Sequence, residues 1–91
     1  MLFLRVCLDK PGALPLRLAH RDEHRAYLAS GTAEITLAGP LLDDGGSMVG
    51  SMMVVDAESA DDVRSFHEGD PFTKAGLFEA VHILKWERHI G

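Results

Sequence analysis

Four turn-forming segments interrupt the apolar stretches of this chain, and they constrain its fold more than any other feature of the sequence. They are residues 10–12 (KPG), Gly31, residues 43–46 (DDGG) and residues 69–71 (GDP). Proline lacks a backbone donor and glycine adopts turn conformations at little cost, so both residue types end regular structure. The chain therefore divides into short elements joined by tight connections.

The residues between these turns predict six elements in the order β-α-β-β-α-β. Short apolar stretches indicate strands, and longer segments that begin near a proline or a capping serine indicate helices. The strands are predicted over residues 2–9, 33–42, 47–57 and 77–88, and the helices over residues 14–30 and 58–69. This order is typical of a ferredoxin-like α+β fold, in which a four-stranded antiparallel sheet carries both helices on one face. With 91 residues, the chain is expected to form a single domain over residues 1–91.

The first predicted helix has a mixed face. At about 100° per residue, apolar and basic side chains lie near one line along it. They are Leu14, Leu18, Arg21, Arg25 and Leu28. We expect this line to pack on the sheet, with both arginines burying only their aliphatic stems. His24 lies at the edge of the same line, where it can face a pocket.

The predicted strands are apolar on both faces. In the third strand, Met52 and Val54 point to one face, whereas Met53 and Val55 point to the other. A sheet with one face in water should alternate apolar and polar residues, and two helices can cover only one face. We therefore expect the second face to pack on another copy of the chain, which predicts a homodimer through the sheet face.

Charge and cysteine content narrow the classes of partner. The chain has a net charge of -5 and no cluster of lysine or arginine, which argues against nucleic acid or an anionic membrane as a partner. No apolar run approaches the ~20 residues of a membrane span, and the N-terminus does not look like a signal peptide. Cys7 is the only cysteine, so no intramolecular disulfide can form and a cytoplasmic location is expected. Cys7 itself is predicted to be a small core residue.

Five segments, in order along the chain, resemble those of a known family. They are DKPG (9–12), RLAHRDEHRAYL (17–28), LAGPLLDD (37–44), GSMMVVDAES (50–59) and GDPFTKAGLFEAVHILKW (69–86). Together they are similar to the YciI-like (YCII-related) proteins of the dimeric α/β-barrel group. The resemblance implies a ferredoxin-like subunit that dimerises through its sheet, with a His–Asp pair in a pocket that corresponds to His24 and Asp70. The segment between Pro40 and Gly50 is shorter than in many relatives, so the resemblance implies an enzyme without naming its substrate.

His24 and Asp70 suit proton transfer. Because both predicted helices lie on one sheet face, a residue just after the second helix can approach a residue on the first. Pro71 restricts Asp70 to an extended backbone, which presents its carboxylate in a fixed direction. An imidazole exchanges protons near neutral pH, and a carboxylate on its second nitrogen fixes the tautomer. The alternatives are a solvated Asp-Pro turn and a boundary histidine that only contacts solvent or packs.

Four residues near this pair are predicted to contact a substrate. They are Gly50, Ser51, Pro71 and Phe72. The Ser51 hydroxyl or a nearby backbone N–H would bind a substrate oxygen, and the alternative is a strand serine that bonds locally. Phe72 would form a wall of the pocket beside Asp70.

Neither a metal nor an organic cofactor is expected. His67, His82 and His89 lack the spacing of metal ligands, and the glycines form neither a dinucleotide fingerprint nor a phosphate loop. Two functions fit these observations. The first is a small cofactor-independent enzyme that uses His24 and Asp70 for isomerisation or elimination on a small carbonyl or lactone compound. The second is a non-catalytic module that binds a small molecule or a partner in the same cleft.

Overall fold

The six elements expected from the sequence are all present, and each begins and ends within two residues of its predicted bounds. The computed structural model describes all 91 residues and adds one short helix. The strands are β1 (Leu2–Asp9), β2 (Glu34–Leu42), β3 (Met48–Asp56) and β4 (Phe78–Trp86), and the helices are α1 (Leu14–Ala29), α2 (Ala60–Gly69) and α3 (Pro71–Lys74). The prediction of a ferredoxin-like α+β fold is confirmed.

The four strands form one antiparallel sheet in the order β2-β3-β1-β4. Strand β1 is central, and its register sets Arg5 opposite Met53 and Cys7 opposite Ser51. Directly opposed residues of an antiparallel pair point to the same face. Strand β2 is an edge, which explains why it tolerates Pro40, since an edge strand needs no partner for every backbone donor.

The apolar core lies between the sheet and α2. Phe3, Met53 and Val55 point from the sheet to Val63 and Phe66 of this helix, and all five are buried. Helix α2 begins where Ser59 accepts a hydrogen bond from the backbone N–H of Asp62, as expected of an N-cap. The core therefore fixes α2 on the sheet and leaves its C-terminal end, where the turn at Gly69 follows, close to β1.

Helix α1 packs through only part of the predicted line. Leu28 packs against the core, but Leu18 is 51% exposed, so the prediction is wrong for Leu18. The buried residues of α1 are Arg17 and His24, which lie seven positions apart and so share one side of the helix. The reason is that Arg17 and His24 pair with the buried carboxylates of Asp9 and Asp70. Apolar periodicity does not identify a helix side with polar partners.

The expected turn after α2 is the start of the third helix. Asp70 has the extended backbone that Pro71 requires, with φ -66° and ψ 127°. Its side chain accepts a hydrogen bond of 2.9 Å from the Phe72 N–H and so caps α3. The carboxylate is completely buried. The interpretation of Asp70 as a solvated turn residue is therefore wrong.

The sheet face opposite the helices carries large apolar side chains in solvent. We call this surface the open sheet face, and its exposed members are Leu8, Leu37, Leu84 and Trp86. The apolar character expected of both faces is therefore present. None of the helices has the length and apolar character needed to cross a membrane.

Candidate active site

His24 and Asp70 are in direct contact. The Nδ1 atom of His24 lies 2.8 Å from Oδ1 of Asp70, and both side chains are buried. The contact joins the middle of α1 to the residue that immediately precedes α3. The fold topology predicted this contact. The interpretation of His24 as a boundary histidine in solvent is wrong, because this side chain is only 10% exposed.

Phe72 fixes the plane of the imidazole. The two rings are stacked, with 4.0 Å between their centroids and an angle of 11° between their planes. Phe72 is itself buried and contacts Phe78 edge-on. The histidine ring is therefore held on one face by a phenyl ring and at one nitrogen by a carboxylate.

Asp70 accepts hydrogen bonds from three elements of the fold. Besides His24 on α1 and the Phe72 N–H of α3, it accepts a bond of 3.0 Å from Nη2 of Arg5 on β1. Burial alone would raise the pKa of the Asp70 carboxyl, but the hydrogen bonds from His24 and Phe72 and the charges of His24 and Arg5 lower it below its ordinary value. The carboxylate is therefore ionised at neutral pH and acts only as an acceptor.

The ionised carboxylate sets the histidine tautomer. Since Asp70 cannot donate, Nδ1 of His24 carries the proton of their shared hydrogen bond. The Nε2 atom has no hydrogen-bond partner in the protein. Every fully buried side-chain nitrogen and oxygen of this chain does have a partner. Nε2 is therefore accessible, and it is the histidine nitrogen that can exchange a proton with a ligand.

Arg5 is a functional candidate that the sequence reasoning missed. Its side chain is 1% exposed, and its Nε and Nη2 atoms lie 3.0 and 2.7 Å from Nδ1 of His67. Burial and the neighbouring Arg5 charge lower the pKa of His67, so this histidine is neutral and accepts from Arg5. The signal was available in the sequence, because Arg5 has the same strand parity as the core residues Phe3 and Cys7.

Arg17 is the second residue that was missed. Its Nε and Nη2 atoms donate to the two carboxylate oxygens of Asp9 at 2.7 and 2.8 Å, and Nη2 also donates to the Ser51 hydroxyl at 2.9 Å. Its guanidinium carbon lies 4.8 Å from the Phe72 ring centroid. Arg17 is one heptad before His24, so a search of that helix side for polar residues would have found it.

A cavity of about 240 Å³ lies between α1 and the β2–β3 edge of the sheet. His24 and Phe72 line it. Its other lining residues are Arg17, Arg21, Arg25, Leu28, Ala38, Gly39, Pro40, Met48, Ser51, Met52 and Met53. None of the lining residues is acidic, although the chain as a whole has a net charge of -5.

The structure brings together some of the predicted substrate contacts and separates others. Ser51 and Phe72 line the cavity, whereas Gly50 and Pro71 do not. Gly50 instead permits close strand packing, because a Cβ atom there would collide with the carbonyl oxygen of Cys7. Pro71 occupies the first turn of α3. These two residues place their neighbours Ser51 and Phe72 in the cavity wall.

Cys7 forms no side-chain hydrogen bond with these residues, and His67 is linked to Asp70 only through Arg5. Cys7 is fully buried, and burial raises the pKa of its thiol to about 11. It is a core residue, as predicted. No group of three or more His, Cys, Asp or Glu side chains is arranged to hold a metal ion.

The fold and the site together define a class of protein: a ferredoxin-like α+β domain with a buried His–carboxylate pair beside a small cavity. The YCII-related domain model matches residues 1–87. The chain therefore belongs to the YCII-related family, and the family resemblance seen in the sequence is confirmed.

Individual relatives extend over nearly the whole chain. Protein YciI of Escherichia coli O6:H1 is 27% identical over 96 aligned residues, which cover 97% of this chain and 98% of that protein. Among solved structures, 5-chloro-2-hydroxyhydroquinone dehydrochlorinase (TftG) from Burkholderia phenoliruptrix AC1100, in complex with 2,5-dihydroxybenzoquinone, is 44% identical with a TM-score of 0.92. That comparison covers 98% of this chain and 96% of the other. Protein Atu4242 from Agrobacterium tumefaciens, at 21% identity and a TM-score of 0.54, shares the fold.

Proposed function

We propose that this protein is a small enzyme that eliminates chloride from a chlorinated hydroxyhydroquinone, with His24 as the proton-transfer residue and Asp70 as the residue that positions it. The observation that carries the proposal is the 2.8 Å contact between His24 Nδ1 and Asp70 Oδ1 beside a cavity of about 240 Å³. The choice of substrate class is supported by the 44% identity to TftG, an enzyme on a small hydroquinone.

The proton chemistry follows from the tautomer. With Nδ1–H donated to Asp70, the lone pair of Nε2 faces a ligand and accepts a hydroxyl proton. Asp70 then stabilises the imidazolium that forms, while its charge stays balanced by Arg5. No serine or cysteine forms a hydrogen bond with His24, so the proposed role of the pair is proton transfer rather than activation of a nucleophile.

The reaction balances without an added oxidant. His24 takes a proton from one ring hydroxyl and returns it to the ring carbon that carries chlorine, so that this carbon becomes tetrahedral. A second hydroxyl then loses its proton, the ring electrons expel chloride, and the carbon–chlorine bond breaks. The product is a hydroxyquinone with hydrogen where chlorine was, together with one chloride and one proton. The ring is oxidised while the carbon–chlorine bond is reduced, so the electrons come from the substrate itself.

The test is chloride release from 5-chloro-2-hydroxyhydroquinone under anaerobic conditions, followed together with the absorbance of the quinone product. We expect His24→Ala to lower turnover ~10²–10⁴-fold, the usual contribution of a general acid–base group. His20→Ala is the matched control, because His20 lies one turn earlier on α1 and does not line the cavity. Its turnover should equal that of the unmodified protein.

Two results would contradict the proposal. Equal turnover by His24→Ala and His20→Ala would show that His24 does not transfer protons in the reaction. A protein that binds 2,5-dihydroxybenzoquinone in the cavity but releases no chloride would instead be a small-molecule-binding module, the alternative function expected from the sequence.

We also propose that two chains pair through the open sheet face. Four large apolar residues of this face are exposed in the single chain, and a contiguous apolar surface of this kind is a common site of protein association. A twofold pairing would cover the same patch on both copies. The pairing would enclose the apolar side chains of the open sheet face, whereas the cavity lies between α1 and the β2–β3 edge of the sheet.

A charged substitution on this face tests the dimer. Leu84 is 58% exposed, so Leu84→Lys costs little in a single chain, but it would bury an unpaired charge in a dimer. Leu18→Lys is the matched control, since Leu18 is 51% exposed on α1, on the other side of the sheet. Light scattering should give a dimer for the unmodified chain and the control, and a 9.9 kDa monomer for Leu84→Lys. A monomer in all three samples would refute the pairing.

A further inference from the structure

A series of polar contacts begins at His67 and ends at the cavity. Nη2 of Arg5 donates to Nδ1 of His67 at 2.7 Å and to Oδ2 of Asp70 at 3.0 Å. The other oxygen of Asp70 lies 2.8 Å from Nδ1 of His24, which lines the cavity. His67 does not line the cavity. The two histidines are therefore connected through one guanidinium and one carboxylate.

His67 and Asp70 together fix the guanidinium of Arg5. Nη2 has two N–H groups, and these two residues use one each. Nε donates to the same Nδ1 of His67 at 3.0 Å, so the imidazole contacts the guanidinium at two nitrogens. Nη1 has the sulfur of Met53 as its partner at 3.6 Å, and a thioether is a weak acceptor. Because Arg5 is 1% exposed, water has little access to replace a lost acceptor. The direction in which Nη2 points at Asp70 therefore depends on His67.

A proton and Arg5 compete for one lone pair of His67. A guanidinium only donates, so Nδ1 of His67 accepts and the neutral ring carries its proton on Nε2. Nδ1 is then also the nitrogen at which the ring gains a second proton. An imidazolium cannot accept, and its Nδ1–H would face the N–H groups of another cation. Protonation of His67 therefore separates it from Arg5.

Three charged groups act on His67. They are Arg5 of β1, Glu68 of α2 and Asp70, which precedes α3. Burial and the charge of Arg5 lower the pKa of His67 below its ordinary value of 6.5, whereas the charges of Asp70 and Glu68 act in the opposite direction. The ring is only half-buried. His67 is therefore neutral at neutral pH and gains a proton from solvent in acid.

The neighbours of His67 on α3 and β4 carry no charge. The Thr73 hydroxyl oxygen lies 3.3 Å from Nδ1, and the Phe78 ring is stacked on the imidazole with 6.0 Å between centroids. These two side chains hold the ring beside Arg5 without contributing a charge. The strength of the contact between His67 and Arg5 therefore depends on the protonation of the histidine.

We propose that His67 is a positioning residue that acts on His24 through Arg5 and Asp70, and that protonation of His67 in acid releases Arg5 and slows the reaction at the cavity. A neutral His67 directs Nη2 of Arg5 at Asp70, and Asp70 in turn holds the Nδ1–H group of His24. The effect on turnover rests on the function proposed above, whereas the connection between the two histidines rests on these contacts alone.

The first test needs no substrate, because proton NMR can observe the Nδ1–H proton that His24 shares with a buried carboxylate. His67→Asn places a carbonyl oxygen, which accepts at every pH, where Nδ1 of the histidine was. His67→Leu removes the acceptor. At about pH 8, where an ordinary histidine is neutral, the signal should be unchanged in His67→Asn and displaced or broadened in His67→Leu. As the pH falls below about 6.5, the signal should change more in the unmodified protein than in His67→Asn.

The second test is the pH dependence of chloride release from 5-chloro-2-hydroxyhydroquinone. At about pH 8, His67→Asn should keep its turnover and His67→Leu should lose about 10–100-fold, as expected when a reacting group is slightly displaced. In acid, the unmodified protein should lose turnover more steeply than His67→Asn, because one inactivating protonation is absent from the variant. His20→Asn is the matched control, since His20 is 34% exposed on α1 and does not line the cavity. Its pH profile should follow that of the unmodified protein.

The outcomes separate this inference from the proposed reaction. Parallel pH profiles of the unmodified protein and His67→Asn, in both the NMR signal and turnover, overturn the role of His67, and this comparison holds even if His67→Leu does not fold. If the His24 signal depends on His67 but the unmodified protein releases no chloride, the connection between the histidines stands and the elimination reaction is wrong. Chloride release with the same acid loss in the unmodified protein and His67→Asn keeps the reaction and overturns the inference.

Discussion

Asp70→Asn is the substitution that tests the site most directly, because it changes charge and donor pattern while keeping the shape of the side chain. The carboxylate accepts from His24 Nδ1 at 2.8 Å, from the Phe72 N–H at 2.9 Å and from Arg5 Nη2 at 3.0 Å. An amide has one acceptor oxygen and one donor nitrogen. It cannot satisfy three donors that approach two oxygens.

In both orientations of the amide, one donor faces another donor. If its oxygen replaces Oδ1, the bonds from His24 and Phe72 remain, but the NH₂ group points at the buried guanidinium of Arg5. If the amide is reversed, its NH₂ group opposes the Phe72 N–H, and His24 must accept at Nδ1 and carry its proton on Nε2. The second arrangement removes the lone pair that the proposed reaction uses.

The expected loss of folding stability follows from the burial of the Arg5–Asp70 ion pair. Arg5 and Asp70 are 1% and 0% exposed, so the loss of the negative partner leaves a guanidinium in the protein interior. Removing one partner of such a pair costs about 3–5 kcal/mol. This is a large part of the ~5–15 kcal/mol by which a domain is normally stable. We therefore expect Asp70→Asn to lower the free energy of unfolding by about 3 kcal/mol or more.

Urea unfolding followed by circular dichroism measures this loss. All variants are compared at one protein concentration, because assembly would add a concentration-dependent term. Asp61→Asn is the control, since its carboxylate pairs with Arg64 on the surface and should contribute little. Arg5→Met with Asp70→Asn should lose less than the two single variants together, because both charges are then absent. An Asp70→Asn protein as stable as the Asp61→Asn control would refute the reasoning.

Two further predictions follow from shifted pKa values. The pKa of Asp70 lies below its ordinary value of 3.8, so its stabilising contribution is complete above that pH and is lost as the pH falls through the lower pKa of the folded state. Stability measured from about pH 5 to about pH 2 should therefore fall less steeply for Asp70→Asn than for the unmodified protein, and parallel curves would contradict this. Burial raises the pKa of the Cys7 thiol to about 11, so an aromatic disulfide reagent at about pH 8 should react only after urea unfolding. Rapid, stoichiometric reaction of the native protein would show that the thiol is accessible.

The fold could be predicted because its determinants are local. Turn residues, a capping serine and short apolar stretches placed every element within two residues of its observed bounds. The contact between His24 and Asp70 was also predictable, since the topology and the family resemblance both brought the end of the second helix to the first. That this pair transfers protons in a reaction stays a prediction.

The partners of the site arginines could not be derived from the same patterns. Strand parity places Arg5 on the inner face, but Asp70 lies 65 positions later and no local periodicity connects the two. Arg17 belongs to a helix side that is buried but polar, whereas an apolar pattern along α1 pointed to Leu18, which is exposed. Hydrophobic periodicity identifies a helix face only when that face packs on apolar neighbours. A face that covers buried ion pairs gives no such signal.

The buried Arg5 also bears on the proposed role of the His24–Asp70 pair, because it donates a hydrogen bond to the same carboxylate. A buried carboxylate needs a compensating positive charge. Arg5 supplies that charge permanently from β1, and His67 remains neutral beside it because burial and the Arg5 charge lower its pKa. In the proposed reaction, His24 is therefore free to gain and lose a proton while Asp70 stays ionised and paired. In that proposal the compensating charge comes from the central strand of the sheet, so the ion pair expected to stabilise the fold would also leave His24 to transfer protons.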